Sequence, residues 1–444
     1  MYWISKTIHR MGRLGRRLSI LLAVVGPGII TMVADNDAGG ISTYAVTGSR
    51  YGFSLLWVFF ILIPMAYFVQ EMTVRLGAVT KRGNAEAIFD GFGKFWGWFS
   101  LADLAIINWL TLVTEYIGMT AAMSIFGVPP VVTFLTVSLI LMIVVMTGRY
   151  WTFEKITLLF CVFNMVYIPA ALWAMKTGNV PGGWGTVAEG FYWPEIPGGL
   201  TAGLIFIIMA NIGTTITPWQ IFFQQSAVVD KGMDVHDIKF GKIDTFAGSF
   251  LTGLVAVFII IATGAAMHYH DPPIAVNDAR ETAEALVPLL PAGEGQWARG
   301  LFAIGLFDAG FLGALCISLS TSWAVGEVFG WAHSLNRSVR DAPWFYAIYL
   351  VTLLTAGAVV LLPGAPLIQI TMFVQVVAVT LLPAALVFLI LLLNDKQRMG
   401  EFANTRWQNI ANWSIVIFVI AMSTLYAVSI VLSDQGPSGP GAVP

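Results

Sequence analysis

Charge is what this sequence has least of. Only 11% of its 444 residues are Asp, Glu, Lys or Arg, against about 25% in an ordinary soluble domain. That excludes a water-soluble globular chain. Cysteine is nearly absent as well. Cys161 and Cys316 are the only two, and both lie in apolar stretches, so neither a disulfide framework nor a thiolate metal cluster is expected. The net charge of −2 and pI of about 6.2 leave no basic excess for nucleic acid. There is no phosphate-cradling Gly-rich loop with a following Lys, no HExxH and no CxxC. Nucleotide use, zinc hydrolysis and dithiol redox chemistry therefore lose their usual signatures. The chain reads as a non-enzyme with no bound cofactor.

What is abundant is apolar surface: 57% of residues are hydrophobic and the mean hydropathy is +0.78. A spanning helix needs about 20 mostly apolar residues. Eleven segments qualify, near 19–47, 53–77, 98–126, 129–147, 154–176, 199–226, 245–268, 298–330, 342–362, 366–393 and 412–433. An all-α polytopic membrane protein is predicted, with the lipid bilayer as its solvent. If the N-terminus is inside, 19 of the 23 Lys and Arg fall on inner segments, leaving only Arg50, Lys176, Arg280 and Arg299 outside. The positive-inside rule then predicts a cytoplasmic N-terminus and an extracellular C-terminus in the cell (inner or plasma) membrane. Residues 1–18 read as a basic cytoplasmic segment leading into a retained first helix, not a cleaved signal. Residues 434–444 read as a disordered tail. The polar stretch 269–297, with Asp271, Asp278, Glu281, Glu284 and Glu294, reads as a solvated outer loop or a weak collector of cations.

Two segments are interrupted. The first contains ADNDAGG (Ala34–Gly40), with two carboxylates at the centre of a span. The sixth contains NIGTTITPWQ (Asn211–Gln220), where Gly213 loosens the helix and Pro218 removes a backbone donor. Broken backbone at membrane depth is tolerated where it is buried in protein or lines a wet cavity. Charged residues there are costly and mark sites. Breaks five spans apart suggest two five-helix repeats of opposite orientation, 19–176 and 199–393, joined by an extracellular loop over 177–198 and followed by an inner loop and eleventh helix over 394–433. Paired discontinuous helices point to a midplane transport site.

GPGIITMVADNDAGGISTYAVTGSRYGFSLLW (Gly26–Trp57) resembles the first helix of the NRAMP family of divalent-metal transporters, which carries GP, then a DPGN motif, then a stretch close to RYGYSLLW. IGTTITPWQ (Ile212–Gln220) resembles the family's sixth-helix segment with its MPH motif. The resemblance covers nearly the whole chain and is strongest to the prokaryotic NRAMP-related magnesium transporters. It implies the leucine-transporter fold, with a divalent cation held between discontinuous helices 1 and 6. It also implies roles. Asp37 falls on the motif aspartate, Gly40 on its asparagine, Thr217 on the motif methionine and Thr214 on an alanine whose carbonyl helps bind metal. The neighbouring backbone at Ala34 completes the expected metal set. Gln375 matches a helix-ten glutamine that can approach the ion. Trp219 replaces the family histidine. Glu115 keeps the second acid of a helix-three pair, while Leu112 replaces the first.

Those departures carry chemistry. A thioether favours transition metals; with Thr217 in its place the site has oxygen donors only. Gly40 leaves room for water, and Mg2+ keeps several waters when bound. Losing two titratable partners predicts weak proton coupling. The expected function is alternating-access transport of partly hydrated Mg2+, with Mn2+ also carried. The rivals are a proton-coupled Mn2+ or Fe2+ importer, an amino-acid permease of the same fold, and a membrane metal sensor or pore. No obligatory protein partner is evident.

Other polar residues in the spans divide between path and scaffold. Asp35 could cap the second half-helix or face a hydrated ion. Asn36 and Asn211 could bond freed backbone or coordinated water. Asp308 could line the path, pair with a buried donor, or join Glu115 and Asp35 in a relay. Glu71 and Arg75 are spaced to pair, Glu327 reads as interfacial, and His268 and His270 as hydrated.

Overall fold

The computed structural model describes residues 26–196, 199–277, 279–289 and 294–432. The expectations for the basic segment 1–18, the start of the first span, Asp278 and the tail 434–444 lie outside the described residues.

The described chain is helical. In order come α1 (Pro27–Val33), α2 (Ala38–Tyr51), α3 (Val58–Thr80), α4 (Asn84–Phe92), α5 (Lys94–Ile125), α6 (Pro130–Met146), α7 (Tyr150–Phe163) and α8 (Tyr167–Thr177). Then follow α9 (Trp184–Tyr192), α10 (Ala202–Thr215), α11 (Pro218–Lys231), α12 (Ile238–Thr263), α13 (Ala279–Leu289), α14 (Glu294–Phe329), α15 (Pro343–Gly357), α16 (Leu367–Asn394), α17 (Lys396–Met399) and α18 (Arg406–Leu432). Nine spans among the described residues, some made of two consecutive helices, are long and apolar enough to cross a membrane, and α6 is a shorter apolar helix. The first expected span appears as the two pieces α1 and α2.

Several boundaries differ from the hydropathy reading for local reasons. Residues 52–57 form turns, so α3 starts at Val58 and not near 53. The fifth span is interrupted by a 3-10 turn at Asn164–Val166. The stretch expected as a plain outer loop contains α13, whose Ala279, Thr282 and Ala283 are buried. Its acids are already engaged: Glu281 accepts from the backbone and side chain of Asn277, at 2.8 and 3.0 Å, and Glu284 pairs with Arg280 at 3.0 Å. That argues against free cation-collecting charge there.

Both interruptions follow from the sequence. Pro27 at N1 starts α1 with a pre-set φ. The helix stops at Val33, and Asp37 adopts an extended conformation before α2 resumes. In the sixth span Ile216 and Thr217 are extended, and Pro218 occupies N1 of α11. α1 packs along α12, while α2 packs against α12, α10, α5 and α14; α5 and α14 lie side by side, as do α10 and α16. The two breaks are thereby placed in the middle of the buried core, where every residue from Asp35 to Asp37 and from Thr214 to Trp219 is shielded from solvent.

Candidate metal site

At the first break Asp37 is the N-cap of α2, and its Oδ1 accepts the Gly40 N–H at 2.6 Å. The cap falls to Asp37, not to Asp35, because position 37 immediately precedes the first helical residue and is extended, the geometry an N-cap requires. Glu115, reaching over from α5, accepts the Ala38 N–H through Oε2 at 3.0 Å. Two carboxylates thus satisfy the opening N–H groups of α2, which also present the positive end of that helix.

Asp35 is different. Its side chain is fully buried and makes no well-formed hydrogen bond; the Gln220 amide of α11 is the polar side chain that reaches it. Both amide atoms of Gln375 are likewise buried without partners, whereas Asp37 meets Glu115, Thr214 meets Tyr44 and Thr217 forms a capping box with Gln220. Buried polar groups are normally bonded, and each exception asks for an explanation. Other such atoms are scattered through the core, at Asn164, Asp308 and Asn412 among others, but those named here lie on the two breaks and on the helix that faces them.

Gly40 shows how closely they converge. A Cβ placed there would stand 2.6 Å from Thr214 Oγ1, 3.1 Å from the Asp35 carbonyl oxygen and 3.2 Å from Asp37 Oδ1. Three oxygens of different chemical type surround one point that only a residue without a side chain leaves open. Gln375 belongs to the same cluster: its Nε2 lies 2.1 Å from where a Cβ on Gly39 would be. The carbonyl aimed at this point is that of Asp35, while Ala34 sits one residue earlier as the C-cap of α1.

The remaining expected residues separate clearly. Asn36 donates to the Thr252 carbonyl at 3.3 Å, and Asn211 donates to Thr47 Oγ1 and the Ile207 carbonyl, both at 2.8 Å. Both brace backbone or side chains of the scaffold. Trp219 is buried, with its ring against Phe223 at 6.0 Å and its carbonyl accepting from Ser320 at 3.0 Å. Asp308 is buried on α14 and faces Asn164 at the 3-10 turn, on a different side from Glu115, so the three acids do not form one relay. Glu327 is not interfacial. It is buried, accepts from Ser226 at 2.6 Å and caps α4 through the Ala85 N–H at 3.1 Å. Glu71 pairs with Arg75 at 3.0 Å as its spacing predicts, and with Lys242 at 2.7 Å. His268 and His270 contact the carbonyls of Ser49 and Pro272.

Sequence reading placed Gln220 at the end of the second break and Gln70 near the inner end of the second span but gave neither a role. Gln220 Oε1 accepts the Thr217 N–H at 3.1 Å and a bond from Gln70 Nε2 at 3.3 Å. The signal was present, since Thr217-Pro-Trp-Gln220 has the spacing of a capping box. Gln70 carries no local signal.

Among the described residues no three His, Cys, Asp or Glu side chains come together as a metal-holding group. The donors at the breaks are mainly carboxylate, carbonyl, hydroxyl and amide oxygens. Such a set fits a hard cation that enters and leaves with water, in contrast to the closed ligand sets of structural zinc.

A helical membrane chain whose two interrupted helices converge on buried oxygens is a transporter and not an enzyme. The chain belongs to the Nramp family: the profile described as "Natural resistance-associated macrophage protein-like" matches residues 28–429. It is 28% identical over 414 residues to the divalent metal cation transporter MntH of Listeria innocua serovar 6a, covering 90% of this chain and 88% of that one. It is 26% identical over 427 residues to MntH of Klebsiella pneumoniae, covering 94% and 96%. Its fold matches the crystal structure of the Eremococcus coleocola manganese transporter bound to an aromatic bis-isothiourea compound, with TM-score 0.77, 21% identity and coverage of 96% and 91%. A looser match, TM-score 0.56 at 14% identity over 93% and 98% of the two chains, is to MhsT in complex with L-phenylalanine.

Proposed function

We propose that this protein carries divalent cations across the cell membrane, with Mg2+ preferred and Mn2+ accepted, by alternating access and with little or no proton coupling. The observation that carries the reading is the cluster of oxygens around Gly40. It combines the Asp37 carboxylate that also caps α2, the Asp35 backbone carbonyl and the Thr214 hydroxyl, with the Asp35 carboxylate and the Thr217 hydroxyl buried elsewhere on the same two breaks. Neither break, Ala34–Gly40 nor Asn211–Gln220, contains a sulfur atom, so soft-metal selection by a thioether is absent. Asp37 and the Asp35 carbonyl are the proposed direct ligands, with Thr214, Thr217, Gln375 and the Asp35 carboxylate meeting the ion or its retained water. Asp35 and Asp37 would repel the carboxylate of an amino acid, which disfavours the permease reading despite the shared fold.

Weak proton coupling is supported by two features. Glu115 is engaged as a cap, and Trp219 offers no titratable group where the family has histidine. The proposed frame is a 5+5 inverted repeat with eleven spans, a cytoplasmic N-terminus and an extracellular C-terminus, in which a bundle containing both breaks rocks around the ion. Liposomes containing the purified chain test this. Saturable Mg2+ and Mn2+ uptake without internal acidification is expected. Strict proton stoichiometry with Mn2+ and no Mg2+ uptake would favour the importer reading, and unsaturable flux a pore.

A further inference from the structure

α8 packs along α12 but barely touches α14. The space among the three helices is a cavity of about 310 Å³, at the lower end of the range that holds small ligands. The local sequence explains it. Five alanines, Ala170, Ala174, Ala262, Ala266 and Ala298, form much of the wall; an alanine leaves open the volume a leucine would fill. Two irregular turns widen the gap. The 3-10 turn Asn164–Val166 interrupts the fifth span and contributes Val166, and a π turn at Gly264–His268 ends the seventh and contributes Ala266. Single π turns recur at functional sites.

The wall suits an apolar guest. Its two hydroxyls are already used: Thr263 donates to the Ile259 and Ile260 carbonyls at 2.9 and 3.3 Å, and Tyr167 to the Phe302 carbonyl at 3.5 Å. The span that contains α8 is one of the two least buried among the described residues, with Pro169 and Leu172 exposed. In a bilayer that face meets hydrocarbon, so acyl chains and not water reach the groove.

The rim carries charge. On the orientation proposed above, four Lys and Arg lie outside. Arg50 donates to Asn277 at 2.5 Å, and Arg280 pairs with Glu284 at 3.0 Å. Lys176 and Arg299 have neither a hydrogen bond nor an ion pair with any described residue. Both flank this one cavity. Lys176 follows Trp173 by one turn at the end of α8, and Arg299 stands beside Ala298 and one turn before Phe302 on α14. Trp173, on the wall, and the exposed Trp297 mark the same level as the membrane interface.

We infer that this groove binds an anionic phospholipid, with an acyl chain among α8, α12 and α14 and the phosphate held by Lys176 and Arg299. Such a lipid joins an apolar chain to a negative charge at the depth where the protein offers an apolar slot and two free cations. Its tail lies beside the 3-10 turn, so occupancy braces the fifth span at its interruption.

The test is quenching of Trp173 in the full-length chain in detergent micelles, titrated with phosphatidylglycerol or phosphatidylcholine carrying brominated acyl chains. The Trp173 signal is the difference between the original chain and Trp173→Phe. Brominated phosphatidylglycerol should quench it at about a tenfold lower mole fraction than brominated phosphatidylcholine. Lys176→Gln with Arg299→Gln should remove that preference while both lipids still quench. Ala170→Leu fills the groove and should protect Trp173 from both. Melting curves and gel filtration establish that each variant is folded. Equal quenching by the two lipids in the original chain, or a preference that survives loss of both cations, would overturn the inference. Displacement of the lipid by inorganic phosphate would overturn it too, by marking a plain anion site. A dimer that Ala170→Leu dissociates would do so as well, by giving the groove to a second copy of the chain. None of these readouts uses metal flux, so failure here and failure of the transport reading are separate results.

Discussion

The Thr214 hydroxyl stands 2.6 Å from the point where any side chain at Gly40 would begin. The two residues share one volume across the two broken helices, so neither can be changed alone without consequence. The resemblance to the family sets asparagine against the first position and alanine against the second, and on that reading the bulk lies on the other helix here.

Gly40→Asn by itself should therefore overpack the site, costing about 1–3 kcal/mol and abolishing uptake. Gly40→Asn with Thr214→Ala should recover folding, and adding Thr217→Met should shift preference from Mg2+ towards Mn2+ and Cd2+. Melting temperature and competitive uptake in liposomes check the two halves. Equal destabilisation by the single and double variants would refute the shared-volume argument.

Asp37 has two tasks that one substitution separates. Asparagine is as good an N-cap as aspartate, so Asp37→Asn should melt within about 2 °C of the original, because a loss of a few tenths of a kcal/mol moves Tm little. Its Mg2+ flux should nevertheless fall about a hundredfold or more, as the charge is gone. Asp37→Ala should lose both, with about 1 kcal/mol from the cap. Retained flux in Asp37→Asn would contradict ion binding by this carboxylate.

Glu115 is expected to behave as a structural acceptor. Glu115→Gln keeps an oxygen for the Ala38 N–H and should retain most transport, with an unaltered dependence on external pH. Glu115→Ala leaves that buried N–H unpaired, a loss of about 1–3 kcal/mol. Collapse of pH dependence in the glutamine variant would instead mark Glu115 as a proton carrier.

Asp35 should contribute affinity more than stability. Asp35→Asn removes a fully buried acid with only a Gln220 amide to meet it, so thermal stability in chelator should rise while half-saturation for Mg2+ moves up by about tenfold, equivalent to about 1.4 kcal/mol. Uptake titrations and calorimetry would show both. An unchanged half-saturation would remove Asp35 from the ion's path.

Glu327→Ala should cost about 2–3 kcal/mol, because the Ala85 N–H and the Ser226 hydroxyl lose their acceptor in a buried position. The effect should appear in thermal melts with the ion preference unchanged, since Glu327 touches neither break. A shift in Mg2+ over Mn2+ preference would argue otherwise.

Much of this architecture was legible in the residues. Hydropathy marked the spans because lipid imposes length and apolarity on each of them separately. Asp37 stood out as a carboxylate in a broken helix at membrane depth, while Gly40, Thr214 and Gln375 were pointed to by the resemblance to the family and not by composition. What stayed hidden was long-range capping. Asp244 serves α1 from 216 residues away, and Glu327 serves α4 from 242 residues away. Such acceptors look like stray membrane charges until the helices are assembled. Asp35 and Asp37 were indistinguishable by composition; only the backbone conformation assigns the cap to one and leaves the other with the Gln220 amide alone. Gln220 was readable from its spacing to Thr217, but a proline within the same four residues drew attention to the break instead.

The buried Asp35 carboxylate also bears on how the molecule survives outside its bilayer. An acid in a low-dielectric interior is relieved by a cation at hand, so on the proposed reading the ion-free form is expected to be the fragile one. Samples stripped by chelator should age and aggregate fastest. Millimolar magnesium in every buffer would act as a preservative, its benefit growing with the logarithm of concentration as mass action requires.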